Sequence, residues 1–163
     1  MLRNLSLLLV LFGSVLGCSP PDSYKGYAPV TFQEAQAFGE QLVERTSQGD
    51  ASWLQEVSAD LDSLVAVYVI AGRDVPYYYK NPTEQELAVF HSSRLRGFNA
   101  IAEDLEGLSL KEVKTKGNSY VVVFDFTFKK NVEKPRSDRE EYLNLLKRQK
   151  TGEIVIAGMG VLL

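Results

Sequence analysis

The chain has 163 residues, 45% of them hydrophobic and 24% charged, with a net charge of −3 at neutral pH, enough for one domain with a core of its own. That mild acidity argues against a nucleic-acid partner, because phosphate binding needs clustered Lys and Arg, and the densest basic clusters, Lys129-Lys130 and Lys147-Arg148-Gln149-Lys150, fall at expected strand ends. A single cysteine, Cys18, excludes a disulfide framework, and with His91 as the one histidine it cannot furnish a zinc shell.

Residues 1–17 read as an export leader. Arg3 supplies a positive start, Leu5 to Phe12 an apolar core too short to span a bilayer comfortably, and Val15-Leu16-Gly17 lead into Cys18. Ser19-Pro20-Pro21 would stop a helix at once, so an uncleaved transmembrane anchor is the weaker alternative. This start resembles that of bacterial lipoproteins, in which small or aliphatic residues precede the cysteine that becomes acylated. The resemblance implies removal of 1–17, palmitate-type acylation of Cys18, and export. Two or more chains hold a protein firmly on a membrane, where one holds it marginally. Ser19 stands where an Asp often retains lipoproteins on the inner membrane of Gram-negative cells, so the implied address is the periplasmic face of the outer membrane.

From Cys18 to Val30 the composition turns to Pro, Gly, Ser and Tyr without apolar periodicity, which predicts a tether. The domain is then expected over 31–163. Thr31 and Glu34 have capping-box spacing, with Val30 and Ala35 as a hydrophobic staple, and Ala35, Phe38, Leu42 and Val43 form one stripe of a first helix ending near Ser47. Gly49-Asp50 is expected to cap a second helix carrying Trp53, Leu54 and Val57. Residues 61–71 suit both a helix, through Leu61, Leu64, Val65 and Tyr68, and a buried strand, through the β-branched run from 65 to 70; helix is preferred. Gly72 to Pro82 reads as a connecting loop. Thr83 and Glu86 repeat the capping-box spacing and open a long helix from 84 to about 104, in which Gly97 predicts a kink or a close approach.

After Leu105 the period changes to two. Strands are expected at 108–116 and 119–130 around Gly117-Asn118, and at 139–150 and 153–163 around Thr151-Gly152. Tyr120, Val122, Phe124, Phe126 and Phe128 share one face, and that face is core. The expected fold is α+β: three or four N-terminal helices packed on one face of a curved four-stranded antiparallel sheet.

Phe38, Leu42, Gly49, Asp50 and Trp53, the long helix, and the closing hairpin from Leu143 to Gly158 together resemble the cystatin-like cone of the nuclear-transport-factor-two and ketosteroid-isomerase superfamily over residues 31–163. That resemblance implies a conical pocket, for which Trp53, Tyr68, Phe98, Phe124 and Phe126 are the candidate lining. Isomerase members combine a carboxylate base with an acidic Tyr and a protonated acid. Here Phe38 occupies the Tyr position, while Asp62 and Asp125 are the only candidate acids, and Asp125 alternates onto the face opposite the aromatic series. His91 lies in Phe90-His91-Ser92-Ser93-Arg94, where neighbours on a helix point in different directions. No catalytic residue, metal or cofactor is expected.

Tyr77-Tyr78-Tyr79 is either a plug for the open end of the cone, the preferred reading, or a patch that docks a partner, a glycan or the lipid interface. Val161-Leu162-Leu163 end a strand apolar on both faces, which suits a homodimer through the sheet or cover within the monomer. The expected function is a lipid-anchored binding or protein-interaction module of the envelope, with an envelope protein as partner and no catalysis. The alternative is a small-molecule carrier or isomerase-like enzyme using the apolar pocket.

Overall fold

The computed structural model describes residues 23–56 and 60–160. The leader, Cys18, the first part of the tether, Val57 and the terminal Val161-Leu162-Leu163 lie outside the described residues. Within them are four α-helices and a curled five-stranded antiparallel sheet, a half-barrel of the α+β class. Curled sheet, long helix and closing meander are compatible with a cone.

The domain begins earlier than the tether reading expects. Tyr27–Ala28 form a strand, β1, whose partners are Arg148 and Lys147, and Tyr27 and Val30 are buried. Helix α1, Phe32–Ser47, starts on the anticipated box: Thr31 Oγ1 accepts from the Glu34 amide and Glu34 Oε2 accepts from the Thr31 amide. Glu34 also receives Lys147 Nζ at 2.8 Å, and these bonds hold its carboxyl below the usual range. One side chain thereby closes the start of α1 and pins it to the sheet.

α1 lies across the sheet. At Gly39 a Cβ would stand 3.0 Å from Val122 Cγ1 and 3.1 Å from Leu110 Cδ1, so a hydrogen at this position lets the helix seat closely. Beyond α1 the expected second helix is a single 3₁₀ turn, Ser52–Leu54. Asp50 Oδ1 accepts from the Ser52 amide at 2.9 Å while Oδ2 accepts from Arg45 Nε at 2.8 Å. Trp53 enters the core and donates its indole N–H to Thr46 Oγ1 at 3.0 Å, which meets the requirement that a buried indole find an acceptor.

Residues 61–70 are helical, as preferred: α2, Leu61–Ile70, is N-capped by Asp60. Its residues from Ser63 to Val67 are all buried. A helix covered on nearly every side has no polar stripe to mark its period, hence the strand-like appearance of this run. The Gly72–Pro82 loop contains one turn of helix, α3, Tyr77–Lys80. Helix α4, Glu84–Asp104, has the anticipated bounds and a second complete capping box.

The sheet is a meander of β2, Leu105–Lys116, β3, Ser119–Phe128, β4, Arg139–Arg148, and β5, Ile154–Met159. β4 pairs with β3, β5 and, near its end, β1. Phe124, Phe126 and Phe128 form a row at 6.3 and 6.1 Å between ring centroids, with Trp53 6.5 Å from Phe126. Each buried ring contributes about 1.5–3 kcal/mol.

The helices do not share one sheet face. Leu143, Leu145 and Ile156 pack with Trp53 and the phenylalanine row, whereas Leu146, Val155 and Ala157 pack with Ala66, Val67 and Ile70 of α2. Successive residues of a strand point to opposite faces, so α2 covers the second face at this end. β5, apolar on both faces, is therefore covered on both faces within the monomer over its described length. The β2–β3 turn also meets α2: Gly117 has φ +60°, and a Cβ there would fall 2.5 Å from the Ala71 carbonyl oxygen.

Candidate functional site

The aromatic core and the candidate pocket prove to be different things. Trp53, Phe124 and Phe126 are interlocked in the main core and essentially inaccessible. Tyr68 lies at the edge of the second cluster, around α2; of the five candidates Phe98 borders an open groove beside α4, and Trp53 a smaller depression of about 200 Å³ between α1 and β5. Phe124, Phe126 and Phe128 pack closely in the sheet interior.

Open surface also occurs around α3 and the first half of α4. Pro76 and Pro82 bracket α3 so closely that only one helical turn fits. That turn sends its tyrosines in different directions. Tyr79 points inward, 5.8 Å from the Phe90 ring and 6.4 Å from Tyr68, and burial pushes its phenol up to about 12. Tyr77 and Tyr78 remain 86% and 65% exposed. Packing thus accounts for Tyr79 and leaves its two neighbours facing solvent. On α4, Val89 is 61% exposed and shares a depression with Phe90 and Arg94.

Arg94, not singled out from the sequence, organises this region. Its guanidinium lies over Phe90 at 5.2 Å and Phe98 at 5.6 Å, and Nη2 donates to the Ala157 carbonyl at 3.0 Å. That carbonyl is accessible because the β4–β5 ladder shifts register: Asn144 pairs with Gly158 and Leu145 with Ile156, which skips Ala157. Burial pushes the Arg94 pKa down from the ordinary guanidinium value. Phe90, Arg94 and Phe98 recur every four residues, and this spacing was the available signal, since it places a cation between two rings on one helix face.

Between α2, α3 and α4 lies a cleft of about 660 Å³, bordered by Tyr24, Lys25, Asp62, Tyr79, Lys80 and His91. Several of its polar groups are engaged in structure. Asp60, also at this cleft, caps α2, and Lys25 Nζ lies 3.4 Å from Asp62. Ser92 Oγ, next to His91 in sequence, donates back to the Val89 carbonyl at 3.1 Å. Asp125 is exposed on β3, across from Ser109 and Glu140, and does not border the cleft of Asp62. The candidate acids are therefore not brought to one site, and Phe38 is a partly buried core residue of α1.

Among the described residues no three His, Cys, Asp or Glu side chains are grouped to hold a metal ion, and no helix is long and apolar enough to cross a membrane. The arrangement on α3 and α4 can pack rings, adhere to apolar or aromatic surfaces and offer hydroxyl groups; a phenol titrating near 12, as Tyr79 does, is not a base at neutral pH. Compared with protein-family models, curated proteins and solved structures, the chain has no match in any of the three.

Proposed function

We propose that the chain is a lipid-anchored, non-catalytic interaction module of the cell envelope: a cone-like domain of the nuclear-transport-factor-two type, released from leader 1–17, acylated at Cys18 and held at the periplasmic face of the outer membrane. The observation that carries this reading is the contrast between a sheet interior filled by Trp53, Phe124, Phe126 and Phe128 and an outer surface where exposed Tyr78 and Val89 border adjoining depressions, with exposed Tyr77 next to Tyr78 in α3. Recognition then belongs to the outer surface. The anchor is supported by the Arg3, apolar core and Val15-Leu16-Gly17-Cys18 pattern.

A small-molecule carrier is the second reading, and the cleft of about 660 Å³ beside α3 is the observation in its favour. One experiment separates them. The full chain and its Cys18→Ser variant are expressed with labelled palmitate, fractionated, extracted in detergent and weighed by native mass spectrometry. Label and membrane retention that depend on Cys18, with a ligand-free protein mass, are the expected result. An unlabelled wild type removes the anchor, and a stoichiometric small-molecule adduct moves the assignment to the carrier.

A further inference from the structure

The exposed aromatic face and the start of the described residues lie together. Tyr24 and Lys25, almost the first described residues, border the same cleft as Tyr79 and Lys80. Tyr78, Tyr79 and Phe90 border the adjoining groove, and Phe90 and Val89 the depression beyond it. Cys18 precedes Tyr24 by six residues, a reach of at most about 20 Å when fully extended. Cys18 therefore stays within about 20 Å of Tyr24, at the rim of that cleft.

We infer that the α3–α4 face rests on the bilayer that holds the Cys18 acyl chains, with Tyr77 and Tyr78 at headgroup level. The inference deepens the proposed function and rests on its acylation of Cys18. Tyrosine suits such a position, since its ring occupies the apolar side of the interface while its hydroxyl stays among polar groups. Lys80, on the rim of the cleft, can lay its stem on the apolar surface and send its ammonium group to lipid phosphates. Glu84 and Glu86 set the depth. They begin α4, Glu86 lines both the groove of Tyr78 and the depression of Val89, and bonds from the Thr83 amide and hydroxyl hold the Glu86 carboxyl below its ordinary range. Ionised acids resist immersion, so the contact is shallow and strongly acidic lipid weakens it. Two tyrosines and a valine bind a membrane weakly by themselves, but a short tether converts the contact into an intramolecular one at millimolar effective concentration.

The test uses the full acylated chain, whose Cys18 sulfur is occupied by lipid. Tyr78→Cys, Val89→Cys and Asp125→Cys variants are spin-labelled and reconstituted into vesicles of phosphatidylethanolamine and phosphatidylglycerol. All three positions are exposed, so the fold tolerates the label. The expected result is a several-fold higher ratio of oxygen to nickel-complex accessibility at 78 and 89 than at 125. Equal, water-like ratios at all three sites in protein that floats with the vesicles overturn the inference and leave the anchor intact. Protein that does not float overturns the acylation, and the inference with it. A photo-reactive group at Tyr78 that captures protein in intact cells replaces the bilayer with a protein partner and overturns the inference likewise.

Discussion

Helices α1 and α4 begin alike and end differently engaged. Each opens with a complete Thr-x-x-Glu capping box and each carries an internal glycine. At Gly39 of α1 an added methyl meets Val122 and Leu110, whereas at Gly97 of α4 it meets nothing within 4 Å. Equal local signals therefore serve opposite ends. α1 uses its glycine to close on the sheet, while α4 leaves its own facing a groove and keeps its first half accessible. A helix is placed by what it packs against, and its own propensity says little about that.

The contrast can be broken most severely in the filled core: Phe126→Ala should cost about 3–5 kcal/mol, read as a lowered urea midpoint. Gly39→Leu should follow at about 1–3 kcal/mol, since the larger side chain must push α1 off β2 and β3. A midpoint equal to wild type would mean that α1 does not press on the sheet. Gly97→Ala should act in the other direction, raising stability by up to about 1 kcal/mol through helix propensity alone; destabilisation would show a neighbour at that position.

The caps sharpen the same contrast. Thr31→Ala and Thr83→Ala each remove a bond worth about 1 kcal/mol. The first should lower the global transition, and the second should chiefly speed amide exchange in the first turn of α4, where little tertiary structure shares the cost. Smallest is the acid response of Asp50. Bonds from Ser52 and Arg45 hold its carboxyl down to about 2, below the ordinary 3.8, so its contribution is present above 3.8 and is lost as the pH falls towards 2. Asp50→Asn should flatten the stability curve in that window, and an unchanged slope would remove the assignment.

The boundaries of α4 and both capping boxes were legible because Thr and Glu three apart announce a local bond. The core face of β3 was legible from strict alternation. β1 was not, because two residues carry no period and their strand character comes from pairing with Lys147 and Arg148, more than a hundred residues away. α3 was hidden by its prolines, and the expectation that every helix would lie on one sheet face failed because Leu145 and Leu146 look equivalent until the register is known. The tyrosine triplet was visible as a cluster. Its division into one packed ring and two exposed ones depended on Phe90 and Tyr68, which no local pattern joins to it.

The skipped residue in β5 has a consequence for how the chain finds its fold. Ala157 offers its carbonyl to Arg94 only because the last strand carries one residue more than its partner at that point. A β5 that slipped by one place would turn Val155 and Ala157 away from α2 and would deprive a half-buried guanidinium of its acceptor. Misaligned hairpins are therefore penalised twice, in packing and in charge. Arg94 of α4 thereby favours the native alignment of β5 over a one-residue slip.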